Sequence, residues 1–170
     1  MRSVRWLAFI GIVLLLVYGA SPYFSFWRFM VAIKSGDNAA INSHVDFPAV
    51  RKSLKKQLVA RFAHATTGHK RWNNLGPTLI DAIVDAYATP EGIAALVSNP
   101  EALKNLQNPR QFRFSGSKPD DWSKIRHAFL TGPRTFVVDR AGIKLQFQFS
   151  GVGWHLNDID LGLGELKDYL

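Results

Sequence analysis

The chain has 170 residues, of which 47% are hydrophobic, so it is long enough for one ordinary domain with a buried core. It contains no cysteine, which excludes disulfides, thiolate catalysis, cysteine metal sites and a lipid-modified cysteine. A formal net charge of +8 at pH 7 indicates attraction to an anionic partner or surface.

The N-terminus is typical of a targeting segment, because Arg2 and Arg5 precede an uncharged apolar run from Trp6 to Ala20. As a helix this run spans about 22 Å, which is shorter than the roughly 30 Å hydrocarbon core of a bilayer. Continuing to Trp27 adds about 10 Å and brings the aromatic residues to the depth of the interfacial belt. Cleavage signals after Ala20 are poor. We therefore predict an uncleaved signal anchor over residues 1–27, with a cleaved signal peptide and secretion as the alternative. The aromatic residues of the expected belt are Tyr23, Phe24, Phe26 and Trp27.

The two N-terminal arginines favour a cytoplasmic N-terminus, which leaves the chain from about residue 28 onward on the outer side of the membrane. We expect a single-pass protein of the inner (cytoplasmic) membrane. Residues 28–170 then form one extracytoplasmic, or periplasmic, domain. We expect helices within 28–107 and strands within 111–161, without a linker long enough for two independent domains.

A break between helices is predicted just past the anchor. Gly36 is a common residue immediately beyond a helix C-terminus. Asp37 is typical of an N-cap and predicts a short helix over residues 38–43.

A longer helix is predicted to begin at Asp46, with Pro48 in its first turn, and to end near His64. Apolar residues recur at every fourth position along it, so one face is expected to pack inward while the other carries positive charge. The apolar residues are Val50, Leu54, Leu58 and Phe62, with Val59 widening the stripe.

The stretch SGDNAAINSHVDFPAVRKSLKKQL, following the apolar segment, resembles the domain of unknown function 2939 (DUF2939) family of small bacterial membrane-associated proteins. The resemblance is most specific at Gly36–Asp37, Val45–Pro48 and Arg51–Leu58. It implies a membrane-anchored single domain. The family has no assigned activity or catalytic residue, so the resemblance adds no mechanism.

Further helix starts are predicted at Pro77, Pro90 and Pro100, with Thr89 as a cap for the second. In the first of these helices Asp81 and Asp85 lie four residues apart on the polar side, which we interpret as a solvated face. A loop rich in Asn, Pro, Ser and Gly begins at about residue 108.

Four strands are predicted after this loop, at 125–130, 135–138, 143–150 and 154–161, and Phe112 and Phe114 could add a short edge strand. The turns between them are short, so neighbouring strands run antiparallel. We predict an α+β fold in which several helices cover one face of a four-stranded antiparallel meander. A sheet wrapped in this way resembles cystatin-like and nuclear-transport-factor-like (NTF2-like) cones, which is an analogy of fold alone.

Positive charge is concentrated between Phe47 and Ile80, where the sequence has no acidic residue. Close to a bilayer such a segment attracts anionic headgroups, so we expect it to contact anionic lipid or a protein partner. Nucleic acid is a poor candidate, because the domain faces away from the cytoplasm and has one aromatic residue, Trp72, next to the cluster. The basic residues are Arg51, Lys52, Lys55, Lys56, Arg61, Lys70 and Arg71.

The familiar catalytic, nucleotide-binding and zinc motifs are missing from the sequence, so we predict no catalytic residue, cofactor or metal site. The polar group with the most chemical interest is His155, Asp158 and Asp160. On a regular strand the two aspartates share one face and His155 points to the other, unless a bulge intervenes. A hydrolase centred on His155 and Asp158 is the least favoured of our hypotheses.

Two binding hypotheses remain open at this stage. The leading one is a non-enzymatic, membrane-tethered module that contacts anionic envelope components or a protein partner. The alternative is a cone-shaped domain that binds a small ligand in an apolar pocket between sheet and helices. The residues expected to line that pocket are Phe136, Phe147, Phe149 and Trp154.

Overall fold

The structure, a computed structural model, describes residues 2–65, 72–98, 125–140 and 142–162, with side chains described over 5–60, 77–98, 125, 127–140 and 142–162. Within these ranges five helices precede four strands, which confirms the predicted α+β fold. The helices are α1 (Arg2–Ser35), α2 (Asn38–His44), α3 (Phe47–Ala65), α4 (Trp72–Tyr87) and α5 (Pro90–Ser98), and the strands are β1 (Ile125–Gly132), β2 (Thr135–Arg140), β3 (Ile143–Phe149) and β4 (Trp154–Asp160).

The sheet is the predicted meander, with strand order β1-β2-β3-β4 and every neighbouring pair antiparallel. Side chains alternate between a buried face and a half-exposed one, most regularly in β2 and β3. Because one face of the sheet is buried, it must pack against another layer, and the helices supply that layer. The innermost residues of the sheet are Phe136, Val138, Leu145, Phe147, Leu156 and Ile159.

Helix α1 lies in two different environments along its length. Its 34 residues extend about 51 Å at 1.5 Å per residue. The apolar side chains from Trp6 to Val17 are exposed, whereas Phe26 and Phe29 are buried against the sheet. Their rings lie 5.8 Å and 5.5 Å, respectively, from the ring of Phe147. The buried core therefore begins within α1, before the boundary that the sequence suggests at residue 27.

The position of Phe26 differs from the interfacial belt predicted for it. At 3.6 residues per turn, Phe26 falls on the same face as Pro22 and Phe29, and that face is buried. Phe24 and Trp27 point away from this face and are exposed. The aromatic cluster is thus divided between core and surface by helical periodicity.

The end of α1 is closed by the expected glycine. Gly36 has a φ of +66°, the left-handed conformation that glycine adopts at little cost. Its N–H donates to the carbonyl of Ile33 at 3.2 Å, and the N–H of Asp37 donates to the carbonyl of Ala32 at 3.1 Å. The Asp37 side chain then accepts the N–H of Ala40 at 3.0 Å, so it caps α2 as predicted.

Helix α3 begins as predicted, since the Asp46 side chain accepts the N–H of Ala49 at 3.1 Å. Val50, Leu54 and Leu58 are all buried. The prediction that Val59 widens this stripe is wrong, because its side chain is 47% exposed. One step of 100° beyond Leu58 carries residue 59 out of the buried face and toward solvent.

The remaining helices agree with the sequence in part. Helix α5 begins at Pro90, with the Thr89 hydroxyl accepting the N–H of Gly92 at 3.0 Å, as predicted. Helix α4 begins at Trp72 and continues through Pro77, so the predicted start at Pro77 is wrong. Proline in this position removes one helical hydrogen bond, but the flanking turns continue the helix. The predicted helix at Pro100, the loop from about residue 108 and the strand at 112–114 lie outside the described residues.

Phe29→Ala tests whether the second half of α1 is part of the domain core. The side chain is fully buried, so we expect a loss of about 3–5 kcal/mol in the free energy of unfolding. The measurement is thermal unfolding of the full chain in detergent micelles, followed by near-ultraviolet circular dichroism. Phe24→Ala is the matched control, because Phe24 is 60% exposed on the same helix and its loss is expected to cost within about 0.5 kcal/mol. Equal effects of the two substitutions would contradict the packing described here.

Candidate functional site

The free edge of β4 is covered by α3 and by the junction between α2 and α3. Val45 forms a parallel bridge with Leu156, and the N–H of Asp46 donates to the Leu156 carbonyl at 2.8 Å. Farther along, the Gln57 side chain donates to the Ile159 carbonyl at 2.7 Å and accepts the N–H of Leu161 at 3.0 Å. Backbone groups that would attract another strand are therefore satisfied within the chain.

A β-bulge in β4 decides which way the polar residues of this strand point. Leu156 pairs with Phe147 and Asp158 pairs with Gln146, so Asn157 is the extra residue. The bulge shifts the alternation by one position. His155 and Asp158 consequently lie on the same half-buried side of the strand, together with Asp160.

These three polar side chains are nevertheless used separately. The His155 Nδ1 is 2.9 Å from the Ser150 hydroxyl. Asp158 accepts a hydrogen bond from Ser53 of α3, and Asp160 accepts the N–H of Gly162 at 3.0 Å. Each of the three side chains therefore has its own hydrogen-bond partner in the fold. None of these hydrogen bonds joins His155 to an aspartate.

An open cleft, called here the polar cleft, lies between the α2–α3 junction and the β3–β4 hairpin. Its volume is about 560 Å³. One wall comes from α2 and the following junction, and the other comes from the outward positions of the hairpin. Its lining residues are Asn42, Ser43, Val45, Asp46, Gln148, Phe149, Ser150, His155 and Asn157.

The chemistry of the polar cleft is mainly that of uncharged hydrogen-bonding groups. The Asn157 amide donates to the Gln148 side chain at 2.8 Å, which orients both groups. The Asp46 carboxylate is already engaged as the cap of α3. An imidazole, hydroxyls and amides are suited to recognising a neutral polar ligand by hydrogen bonds.

Most of the polar cleft was missed by the sequence analysis, which named two of its residues as site residues: His155, and Phe149 for a different, apolar pocket. Asn42 and Ser43 are separated from Gln148 by about a hundred positions in the chain. They come together because α2 lies beside β4, and neither position carries a sequence motif. One sequence signal could have predicted part of the cleft. The GVG turn indicates a tight hairpin, which brings Ser150 and His155 together.

The aromatic residues predicted to line an apolar pocket pack against one another and fill the space between the sheet and α1. Phe136, Phe147 and Trp154 are buried, and the Trp154 indole N–H donates to the Ser21 hydroxyl at 2.9 Å. The Phe149 ring lies 5.5 Å from that of Trp154, and Phe149 also contributes to the polar cleft. A separate void between α3, α4 and α5 measures about 10 Å³, which is at most the room of one water molecule.

The basic face of α3 is partly neutralised by the neighbouring helix. Lys55 pairs with Asp81 at 2.6 Å, and Arg51 approaches Asp85 to 3.4 Å. All four side chains are more than half exposed, so these pairs are weak contributors to stability. A stretch of sequence without acidic residues thus gains two carboxylates in space.

Two lysines of this face remain without an ion pair among the described residues. Lys52 and Lys56 are exposed and lie one turn apart on α3; we call them the lysine ridge. The described side chains do not include those of Arg61, Lys70 and Arg71.

Within the described part of the chain, the structure forms no group of three or more His, Cys, Asp or Glu residues that could hold a metal ion.

The comparisons with known proteins give one match. A family model described as "Protein of unknown function (DUF2939)" matches residues 12–96, which is half of the 170-residue chain. The matched stretch runs from the apolar part of α1 into α5 and includes the α2–α3 junction. No curated protein and no solved structure matches the chain.

Proposed function

The chain belongs to the DUF2939 family of proteins of unknown function, and we propose that it is a membrane-anchored extracytoplasmic module that acts by binding a partner. The observation that carries this proposal is the division of α1. Among the described residues, one segment, Arg5–Ser35, is long and apolar enough to cross a membrane. Its most apolar window has a mean hydropathy of 2.0 and is 6% buried, so it is not a core helix over that part.

The second half of α1 supports retention of the anchor. Cleavage near Ala20 would cut a helix that continues without a break from the apolar segment into the core. It would also remove Tyr18, whose ring lies 5.8 Å from Phe149. The helix from Tyr18 onward thus contacts the folded domain, whereas a signal peptide is expected to be dispensable to it.

Retention of the anchor is tested by fractionation of cells that make the full chain. We expect the protein in the membrane pellet after an alkaline carbonate wash, because a spanning helix resists extraction whereas a peripheral protein does not. Mass spectrometry of its N-terminal peptide should find the residues of the apolar run. A soluble protein that begins near residue 21 would contradict the proposal.

The contact surface that we propose for the partner is the lysine ridge. The α2–α3 junction and α3 run beside β4, from Val45 near Leu156 to Gln57 near Leu161. The start of β4 is bonded to α1 through Trp154, and the strand then rises about 16 Å to Ile159 at 3.3 Å per residue. Because β4 and α3 thus lead away from the bilayer, we favour a partner beyond the bilayer surface over the headgroups beneath the domain. Such a partner is an acidic protein surface or another anionic envelope component.

Reversing the charge of the lysine ridge tests this surface. In the double variant Lys52→Glu with Lys56→Glu, we expect at least a tenfold weaker binding of a fluorescent polyglutamate chain to full-length protein in neutral phosphatidylcholine vesicles, at low salt. The matched control is Lys55→Ala with Asp81→Ala, which removes an ion pair and leaves the net charge unchanged. Equal affinity of the ridge variant and the unmodified protein would refute the surface, and anionic phosphatidylglycerol vesicles as the probe separate a lipid partner from an acidic protein.

The polar cleft supports a second binding function, for a small neutral polar ligand. Its volume of about 560 Å³ and its mainly uncharged lining carry this candidate. Neutral polyols and short amides, screened by amide chemical shifts, are expected to perturb Ser150 and His155. Ser43→Trp should abolish those shifts by filling the cleft, and Ala39→Trp, an exposed residue of the same helix outside the lining, should leave them. Shifts that persist in Ser43→Trp would exclude the cleft as the binding site.

A further inference from the structure

Two hairpin turns of the sheet, the one between β1 and β2 and the one between β3 and β4, lie beside α1 at Tyr18. The Tyr18 hydroxyl donates a hydrogen bond to the carbonyl of Pro133, in the turn between β1 and β2. Its ring lies 5.8 Å from Phe149, which ends β3 and enters the turn to β4. Both turns therefore reach as far along α1 as Tyr18.

The length of helix below this level is too short to cross a bilayer. From Arg5 to Tyr18 the helix rises about 20 Å, whereas the hydrocarbon core is about 30 Å thick. Starting at Arg2 adds about 4.5 Å, which still falls short. Tilting of the helix reduces its projected length further, so it brings the turns closer to the lipid. A bilayer that accommodates α1 must reach the level of the turns or thin to avoid them.

The turns carry the residues that such a position requires. Val152, at the centre of the β3–β4 turn, is 96% exposed. Phe129 and Leu130, at the end of β1, are also exposed, at 49% and 39%. Arg134 adds an exposed cation, and no acidic residue occurs from 129 to 135 or from 149 to 154. Exposed apolar residues together with a single cation are suited to a headgroup region.

We propose that these two turns, called here the tip surface (Phe129, Leu130, Pro133, Arg134 and Val152), insert into the outer leaflet of the bilayer that α1 crosses. The inference rests on the proposed function, since it requires that the anchor is retained. Val152 enters the boundary between headgroups and acyl chains, and Arg134 pairs with lipid phosphate. The domain is then held to the membrane at three places, α1 and the two turns, so it cannot turn freely about its anchor.

The chain offers a clean way to measure depth, because it has no cysteine and single cysteines can be labelled specifically. The variants are Val152→Cys in the tip surface, Leu14→Cys in the apolar segment and Lys56→Cys on the lysine ridge. Each full-length variant carries an environment-sensitive nitrobenzoxadiazole label and is reconstituted into vesicles of phosphatidylcholine and phosphatidylglycerol. Nitroxide groups on the lipids, near the headgroup or deep in the acyl chains, then quench the labels according to depth.

We expect the shallow nitroxide to quench the label at position 152 at least threefold more than the label at position 56. The deep nitroxide should quench the label at position 14. If position 14 is quenched while 152 behaves like 56, the tip surface is off the membrane and the inference is wrong, although the anchor stands. If position 14 is not quenched, the anchor itself is absent and both proposals fail.

A second measurement separates insertion from simple proximity. With the label at Thr131→Cys, an exposed residue next to the tip surface, we expect Val152→Asp to reduce quenching by the shallow nitroxide at least twofold, because a carboxylate opposes entry into an anionic leaflet. Val59→Asp is the matched control, since Val59 is also an exposed valine but lies on α3, and it should change nothing. Undiminished quenching in Val152→Asp would overturn the role given to Val152.

Discussion

The packing of Phe26 and Phe29 against the inner face of the sheet is the constraint from which the remaining architecture follows. Their rings contact Phe147, and the Phe26 ring also lies 6.5 Å from Phe136. Because α1 continues unbroken from this contact into its exposed apolar half, the orientation of the sheet is tied to that half of the helix. In the proposed anchored arrangement, this shared helix determines which turns face the membrane, whereas a flexible linker would leave the domain free to rotate.

The helical layer also completes the sheet. Without α3, β4 would present a row of unpaired backbone groups, which is a template for association with other chains. The Gln57 side chain and the backbone of Asp46 satisfy these groups at 2.7 to 3.0 Å. The same docking brings α3 beside α4, where Asp81 and Asp85 neutralise part of its positive charge. The position of α3 thus has two consequences. It covers the edge of β4, and it places part of its own positive charge next to carboxylates of α4.

Much of the fold was predictable, because its signals are local. Asp37, Asp46 and Thr89 cap helices by bonds to N–H groups three residues away, and Gly36 ends α1 for a reason confined to its own φ. The strands are visible as alternation with period two, and short turns require antiparallel neighbours. The start of α4 could not be found this way, since Pro77 gives a strong local signal that the helix does not follow.

The sequence by itself determined that the protein has an apolar N-terminal helix, a helical half, a β half and membership of the DUF2939 family, because each depends on the order of neighbouring residues. Tertiary structure decided which groups meet: Asn42 with Gln148 in the polar cleft, Lys55 with Asp81, and Tyr18 with Pro133. These pairs join distant segments, and their distances are set by how the helices pack on the sheet. No pattern within either segment carries that information.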